Sequence, residues 1–135
     1  MKAIEFLKDI GAVTVPTTAE EIMASPVVTV KGSQTVGEAL EILKEKNIGQ
    51  LAVVDDNERL VGDIESVIVA GTIIERGKNI TVDEVKRTDD YEVFVQGTDL
   101  LGIKEALKEK PVVFIADDNK PVGVIKKEDF FKEFK

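Results

Sequence analysis

The chain contains no cysteine, no histidine and no tryptophan, and a single tyrosine. The first two absences remove disulfides, thiolate nucleophiles, sulfur- or imidazole-based zinc and iron–sulfur sites, and histidine acid–base catalysis together. Hydrolase chemistry loses most of its usual groups. A long apolar run is also missing: the longest, Val67 to Ile74, is broken by Gly71 and Thr72 and falls far short of the ~20 residues that a membrane span needs. Basic excess is missing too. Lys and Arg number 18 against 26 acids, a net charge of −8 that argues against a nucleic-acid partner, whose footprint would be a basic face. The N-terminus, MKAIEFLKDIG, lacks the uninterrupted apolar stretch and small-residue cleavage site of a signal peptide. A cytoplasmic protein with no membrane partner is expected.

Of the 135 residues, 33% are charged and 43% hydrophobic, the balance of a folded chain about the size of one ordinary domain. Within it, LAVVDDNERLVGDIE at 51–65 returns 61 positions later as VVFIADDNKPVGVIK. Laid without a gap, Val53 falls on Phe114, Val54 on Ile115, Asp56 on Asp117, Val61 on Val122, Gly62 on Gly123 and Ile64 on Ile125. Each copy reads as apolar strand, acidic turn, apolar strand. Glu38-Ala39-Leu40 returns as Glu105-Ala106-Leu107 at a spacing of 67, so the second copy is six residues shorter between helix and hairpin. The repeated unit is βαββα, and halves this small must pack on each other.

Residues 1–20 read as a short amphipathic helix, with Ala3, Ile4, Leu7 and Ile10 on one face, followed by an extended segment at Val13 to Val15. Thr17 or Thr18 caps a second short helix. The first repeat occupies 21–78 and the second 79–135, with Gly77-Lys78-Asn79 as the boundary. In the first, a strand at 27–30 leads to a helix at 35–46, hairpin strands at 51–54 and 60–64, and a helix at 65–76. In the second, helices fall at 81–86, 99–109 and 127–134, and strands at 93–95, 112–115 and 121–125. The hairpin strands at 51–54 and 60–64 are mostly apolar rather than alternating, which predicts cover on both faces. Asn57 is the expected positive-φ residue of the first hairpin turn and Asn119 that of the second. Phe130 and Phe134 are expected in the core and Phe131 at an interface. The helix at 65–76 is apolar almost all round, so it should touch the core on one side and something else on the other.

The tandem unit, with Met23-x-x-Pro26-Val-Val-Thr-Val30, the Glu38-Ala39-Leu40 helix and a hairpin ending in Val-Gly, resembles the cystathionine-β-synthase-type (CBS) domain pair, or Bateman module, over about 21–135. The resemblance implies an α/β (α+β) fold of two βαββα repeats packed as one pseudo-symmetric unit. It also implies a regulatory module that binds an adenosine compound (AMP, ADP, ATP or S-adenosylmethionine) in clefts between the repeats, pairs into a homodimer and acts on an unidentified regulated protein. The family holds ribose through a Gly-h-h-Thr/Ser-x-x-Asp signature. Gly123-Val124-Ile125-Lys126-Lys127-Glu128-Asp129 keeps the Gly and the Asp but has Lys126 where a hydroxyl belongs. Gly62-Asp63-Ile64-Glu65-Ser66-Val67-Ile68 has Glu65 and Ile68 in the two polar places, so the first site should be empty or take something else.

At the second site the resemblance places Asp129 on ribose, Lys126 and Lys110 near phosphate, Met23, Val28 and Ile48 beside adenine, and Val124 on the floor. A strand running into a helix also presents free N–H groups beside Lys126 and Lys127, which suits phosphate independently. Plainer explanations stand beside these. Asp129 is an acid in a first helical turn, the lysines suit a solvated edge, and Lys110 suits a loop. Asp55, Asp56, Asp117 and Asp118 sit in hairpin turns, where Asp is common, without calcium-loop spacing. No nucleophile–base pair is visible, so a binding module is expected rather than an enzyme. The alternative is a structural dimerisation or interaction module whose nucleotide sites are vestigial.

Overall fold

In the computed structural model, which describes residues 18–132 and the side chains of 18–130, the same unit is built twice. The amphipathic segment and extended stretch expected before Thr18 lie outside the described residues, as do the side chains of Phe131 and Phe134. A single 3-10 turn, Ala19–Glu21, precedes β1 (Thr29–Lys31); Thr18 stands before the turn without a side-chain cap. Thr35 starts α1 (Val36–Lys46) by accepting from the Glu38 amide at 3.2 Å, the capping-box arrangement, and Asn47 ends the helix in the left-handed conformation. β2 (Gln50–Val54), β3 (Leu60–Glu65) and α2 (Ser66–Arg76) complete the first unit.

The second unit runs α3 (Val82–Val85), β4 (Tyr91–Val95), α4 (Leu100–Leu107), β5 (Val112–Asp117), β6 (Lys120–Lys126) and α5 (Lys127–Lys132). Asp99 caps α4 by accepting from the Leu101 and Gly102 amides. Both sheets have the same order, β1-β2-β3 and β4-β5-β6, with a parallel first pair and an antiparallel hairpin. No helix of the described residues is long and apolar enough to cross a membrane.

The hairpin turns differ from expectation in one residue. In the second, Asp118 and Asn119 both take positive φ, closing a two-residue turn. In the first, the positive φ falls on Glu58 and not on Asn57. Asp55 explains this. Its carboxylate accepts from the Asn57 and Arg59 amides at 2.8 and 3.1 Å, which holds Asn57 in an ordinary turn conformation and leaves the left-handed position to the next residue. Glu58 is also the gap-free counterpart of Asn119.

Each sheet buries its helix-side face in its own core. Val30, Leu51, Val53 and Ile64 meet Val36, Ala39, Leu43 and Val69 in the first, and Val113, Ile115 and Ile125 meet Ile103, Leu107 and Phe130 in the second. The other faces meet each other through Ala52, Leu60, Val112 and Phe114, with Tyr91 edge-on to Phe114 at 5.3 Å. β2 is buried from Leu51 through Val54, so it is covered on both faces as its composition predicts. α2 turns Val69 and Thr72 inward, while Val67 and Ile74 are 67% and 84% exposed.

The halves are stitched by a reciprocal crossing. The segment before β1 pairs with β6 through two bonds between Ala24 and Val124, at 2.9 and 3.1 Å. The segment before β4 pairs with β3 through Arg87 and Asp63, at 2.8 and 2.9 Å. Gly62 and Gly123 lie under these crossings for want of room: a Cβ on Gly62 would come within 2.8 Å of the Arg87 carbonyl oxygen, and one on Gly123 within 2.1 Å of Met23 Sδ. Gly62→Ala must displace backbone and is expected to cost about 1–3 kcal/mol in urea unfolding. Gly102→Ala, in α4 with only Thr98 Cγ2 at 3.8 Å, should be neutral or stabilising by up to ~1 kcal/mol. Equal effects of the two substitutions would show that the crossing is not tight.

Candidate functional site

The crossings make two pseudo-equivalent clefts, one on each side of the seam. The one beside Val124 is an open cleft of about 170 Å³ lined by Ala24, Pro26, Val27, Val28, Ile48, Gln50, Ala52, Phe114, Val124, Lys126 and Asp129. β1 and its lead-in supply the apolar wall at Val27 and Val28, the start of β2 supplies Gln50, and the end of β6 running into α5 brings Lys126 and Asp129 to the rim. Five of the residues singled out from the sequence, Val28, Ile48, Val124, Lys126 and Asp129, thus line one cavity. Met23 and Lys110 do not. Met23 packs over Gly123 against the second core, and the Lys110 ammonium donates to the Asp89 carbonyl, on the lead-in to β4.

The other cleft is filled by the chain's own side chains. Where the first repeat has Ala24, Val27 and Val28, the second has Arg87, Asp90 and Tyr91; where β6 and α5 offer Val124, Lys126 and Asp129, β3 and α2 offer Asp63, Glu65 and Ile68. The Arg87 guanidinium lies 2.6 Å from Glu65, 2.8 Å from Asp90 and 3.4 Å from Asp63. Gln50 donates to Asp63 at 2.6 Å. Asp90 meets Arg87 by charge alone, since both its oxygens and Arg87 Nε are buried without a hydrogen-bond partner.

Three carboxylates compete for one half-buried guanidinium, and of them only Asp63 is fully buried. Asp63 is fully buried, and removal from water, then the neighbouring Asp90 charge, push its pKa up to about 6 against the Gln50 bond and Arg87. Burial alone would lower the Arg87 pKa, but the Glu65 bond and the charges of Asp63 and Asp90 outweigh it and raise the value. Burial, with the Asp63 and Asp90 charges, also raises Tyr91. This cluster was the part that sequence reasoning missed. Its signal was present in the lead-ins: aligned at 63 positions, Ala24 falls on Arg87 and Val27 on Asp90.

A larger concavity, about 290 Å³, lies away from both clefts against Asp55, Asp56, Asp83 and Lys86. Its carboxylates disfavour an anion. Asp55 is engaged by its own turn, Asp83 by Lys86 at 3.0 Å, and no metal-holding acidic group occurs among the described residues.

The CBS-domain family model matches residues 19–65. Over 121 residues the chain is 30% identical to the inosine-5′-monophosphate dehydrogenase of Methanocaldococcus jannaschii, covering 87% of this chain and 23% of that protein. Over 117 residues it is 30% identical to the A-adding tRNA nucleotidyltransferase of Geobacter sulfurreducens, covering 85% of this chain and 13% of that protein. The chain therefore spans less than a quarter of the length of these curated relatives. Among solved structures, the CBS domain pair of the protein MJ0100, in complex with 5′-methylthioadenosine and S-adenosyl-L-methionine, matches with a TM-score of 0.70 at 26% identity, covering 87% of this chain and 95% of that one.

The Asp63 cluster fixes a pH signature. Its folded pKa near 6 lies above the ordinary 3.8, so between these values the folded state holds more protons than the unfolded chain. The contribution to stability is fully present below pH 3.8 and is lost as pH rises through 6. Asp63→Asn should remove that decline and leave the protein more stable than the parent at pH 7.5, by about 3 kcal/mol at most. Arg87→Met, which strands the carboxylates, should cost about 3–5 kcal/mol at the same pH. Urea midpoints across pH 4–8 that run parallel for parent and Asp63→Asn would contradict the assignment.

Proposed function

The chain belongs to the CBS-domain family as a tandem pair, and from that premise we propose that it is a regulatory module holding one adenosine compound per chain in the cleft beside Val124. The observation that carries this reading is the inequality of the clefts: one is open and has a cation and a carboxylate at its rim, the other is filled by Arg87 and its partners. In the open cleft the base lies between Val28 and Ile48 on one side and Val124 on the other, ribose hydroxyls donate to Asp129, and Lys126 faces phosphate. A cleft of about 170 Å³ is smaller than the roughly 300–1,000 Å³ of enclosed small-molecule sites, so a nucleoside would lie partly open to solvent.

The complex of the MJ0100 pair with 5′-methylthioadenosine and S-adenosylmethionine supports the adenosine class. Lys126 favours AMP, ADP or ATP within it, because an ammonium attracts phosphate and repels a sulfonium. Binding, and not catalysis, is the role. Occupancy is relayed to a regulated protein through a homodimer in which α2 packs on its copy, burying Val67 and Ile74; a second copy is the natural cover because a two-fold interface lets one apolar stripe meet itself. A second reading, an interaction module with vestigial clefts, is favoured by the closure of the first cleft.

Calorimetry separates the two. Asp129→Ala should weaken adenosine and AMP alike, by about tenfold or more, as loss of a charge-assisted bond requires. Lys126→Ala should weaken AMP, ADP and ATP yet leave adenosine nearly untouched, and added salt should weaken AMP in the parent. If no adenosine compound binds, the interaction module is the better account. Light scattering should give about twice the chain mass of 14.8 kDa, and Ile74→Glu should return the monomer. A monomeric parent at tens of micromolar would remove the dimer.

A further inference from the structure

Gln50 belongs to both clefts. It lines the open one, and its amide nitrogen reaches Asp63, on the neighbouring strand β3, at 2.6 Å. We propose that Gln50 couples ligand binding in the open cleft to protonation of Asp63, so that the ligand binds more tightly as pH falls. The inference rests on the adenosine reading and adds to it a further contact residue and a mode of regulation.

The argument is one of donors and acceptors. An ionised carboxylate only accepts, so Gln50 must turn its NH2 group toward Asp63. Once protonated, Asp63 donates, the Gln50 carbonyl takes that bond, and the NH2 group is released toward the cleft. The ring nitrogens of adenine are acceptors and gain a donor by this exchange. At high pH the same ligand must compete with a buried anion for the amide.

The groups around Asp63 make Gln50 its dominant support. Arg87, from the lead-in to β4, stands 3.4 Å away but lies closer to Glu65 at 2.6 Å and Asp90 at 2.8 Å. Asp90 and Tyr91 face it from the same segment and from β4, and Asp90 opposes its ionisation. Glu65 shares its strand and is held by Arg87. Lys126 and Asp129 stand on the open cleft's rim beyond Gln50. With its charge in a fully buried position, Asp63 titrates near 6, within the range in which the switch would act.

The test uses adenosine, which has no phosphate to titrate, in calorimetry at pH 5 and pH 7.5 in buffers of different ionisation heat. The parent should bind about three- to tenfold more tightly at the lower pH, as gain of one hydrogen bond allows, and should take up protons on binding at pH 7.5. Asp63→Asn and Gln50→Leu, each first shown to unfold cooperatively in urea, should bind with no pH dependence and no proton uptake. Equal parent affinity at both pH values, or a slope retained in Asp63→Asn, would overturn the coupling while leaving the adenosine reading intact. Absence of adenosine binding at every pH would overturn the adenosine reading and the coupling with it.

Discussion

Two reciprocal antiparallel bridges, Ala24 with Val124 and Arg87 with Asp63, set how the repeats cross, with Thr18–Asp99 and Thr35–Thr81 as further bridges between the halves. Each repeat has a three-stranded sheet with one face covered by its own helices and by a segment of the other half, Val82 in the first core and Ala19 and Ile22 in the second, and the other face would be exposed apolar surface in isolation. Crossing the lead-in of each repeat over the last strand of the other presses those faces together around Ala52 and Phe114. Glycine at 62 and 123 is the local condition for that approach, because a side chain at either place would meet the crossing segment. The clefts are a geometric by-product: wherever a lead-in crosses a foreign strand, a gap opens beside the bridge.

Geometry makes the clefts equivalent and the side chains make them different. Beside Val124 the lead-in is apolar and the rim carries Lys126 and Asp129, which leaves room for a flat ligand with polar substituents. Beside Asp63 the same positions carry one guanidinium and three carboxylates that pair by charge, with the Asp90 oxygens and Arg87 Nε left without a hydrogen bond. A buried cluster of this kind is poor at stabilising a fold, since desolvation offsets most of the attraction, yet it is expensive to break. Arg87 therefore acts in its cleft as a fixed internal occupant, and the excess negative charge around it makes an anionic ligand there still less favourable.

The repeat was legible in the sequence because strands and hairpins impose strict spacing on apolar residues, and Gly62 and Gly123 fell on each other for a steric reason that the fold makes plain. The apolar and rim residues of the open cleft were legible through the resemblance and its signature. Lys110, named through the same resemblance, does not line that cleft; its ammonium donates to the Asp89 carbonyl. The Arg87 cluster and Gln50 were missed. Apart from Asp90, three positions from Arg87, their partners lie 13 to 24 positions away, and no periodicity marks a polar residue that points between two sheets. Asn57 was a propensity argument overruled by one side chain, the Asp55 carboxylate.

The central claim is that one cleft receives the ligand and the other is closed by Arg87. A crystal structure of the chain with AMP tests it most directly. The account predicts one nucleotide per chain, its base between Val28, Ile48 and Val124 and its ribose on Asp129, with Arg87 still on Glu65. Nucleotide in the place of Arg87, or in both clefts with the guanidinium displaced, would contradict it.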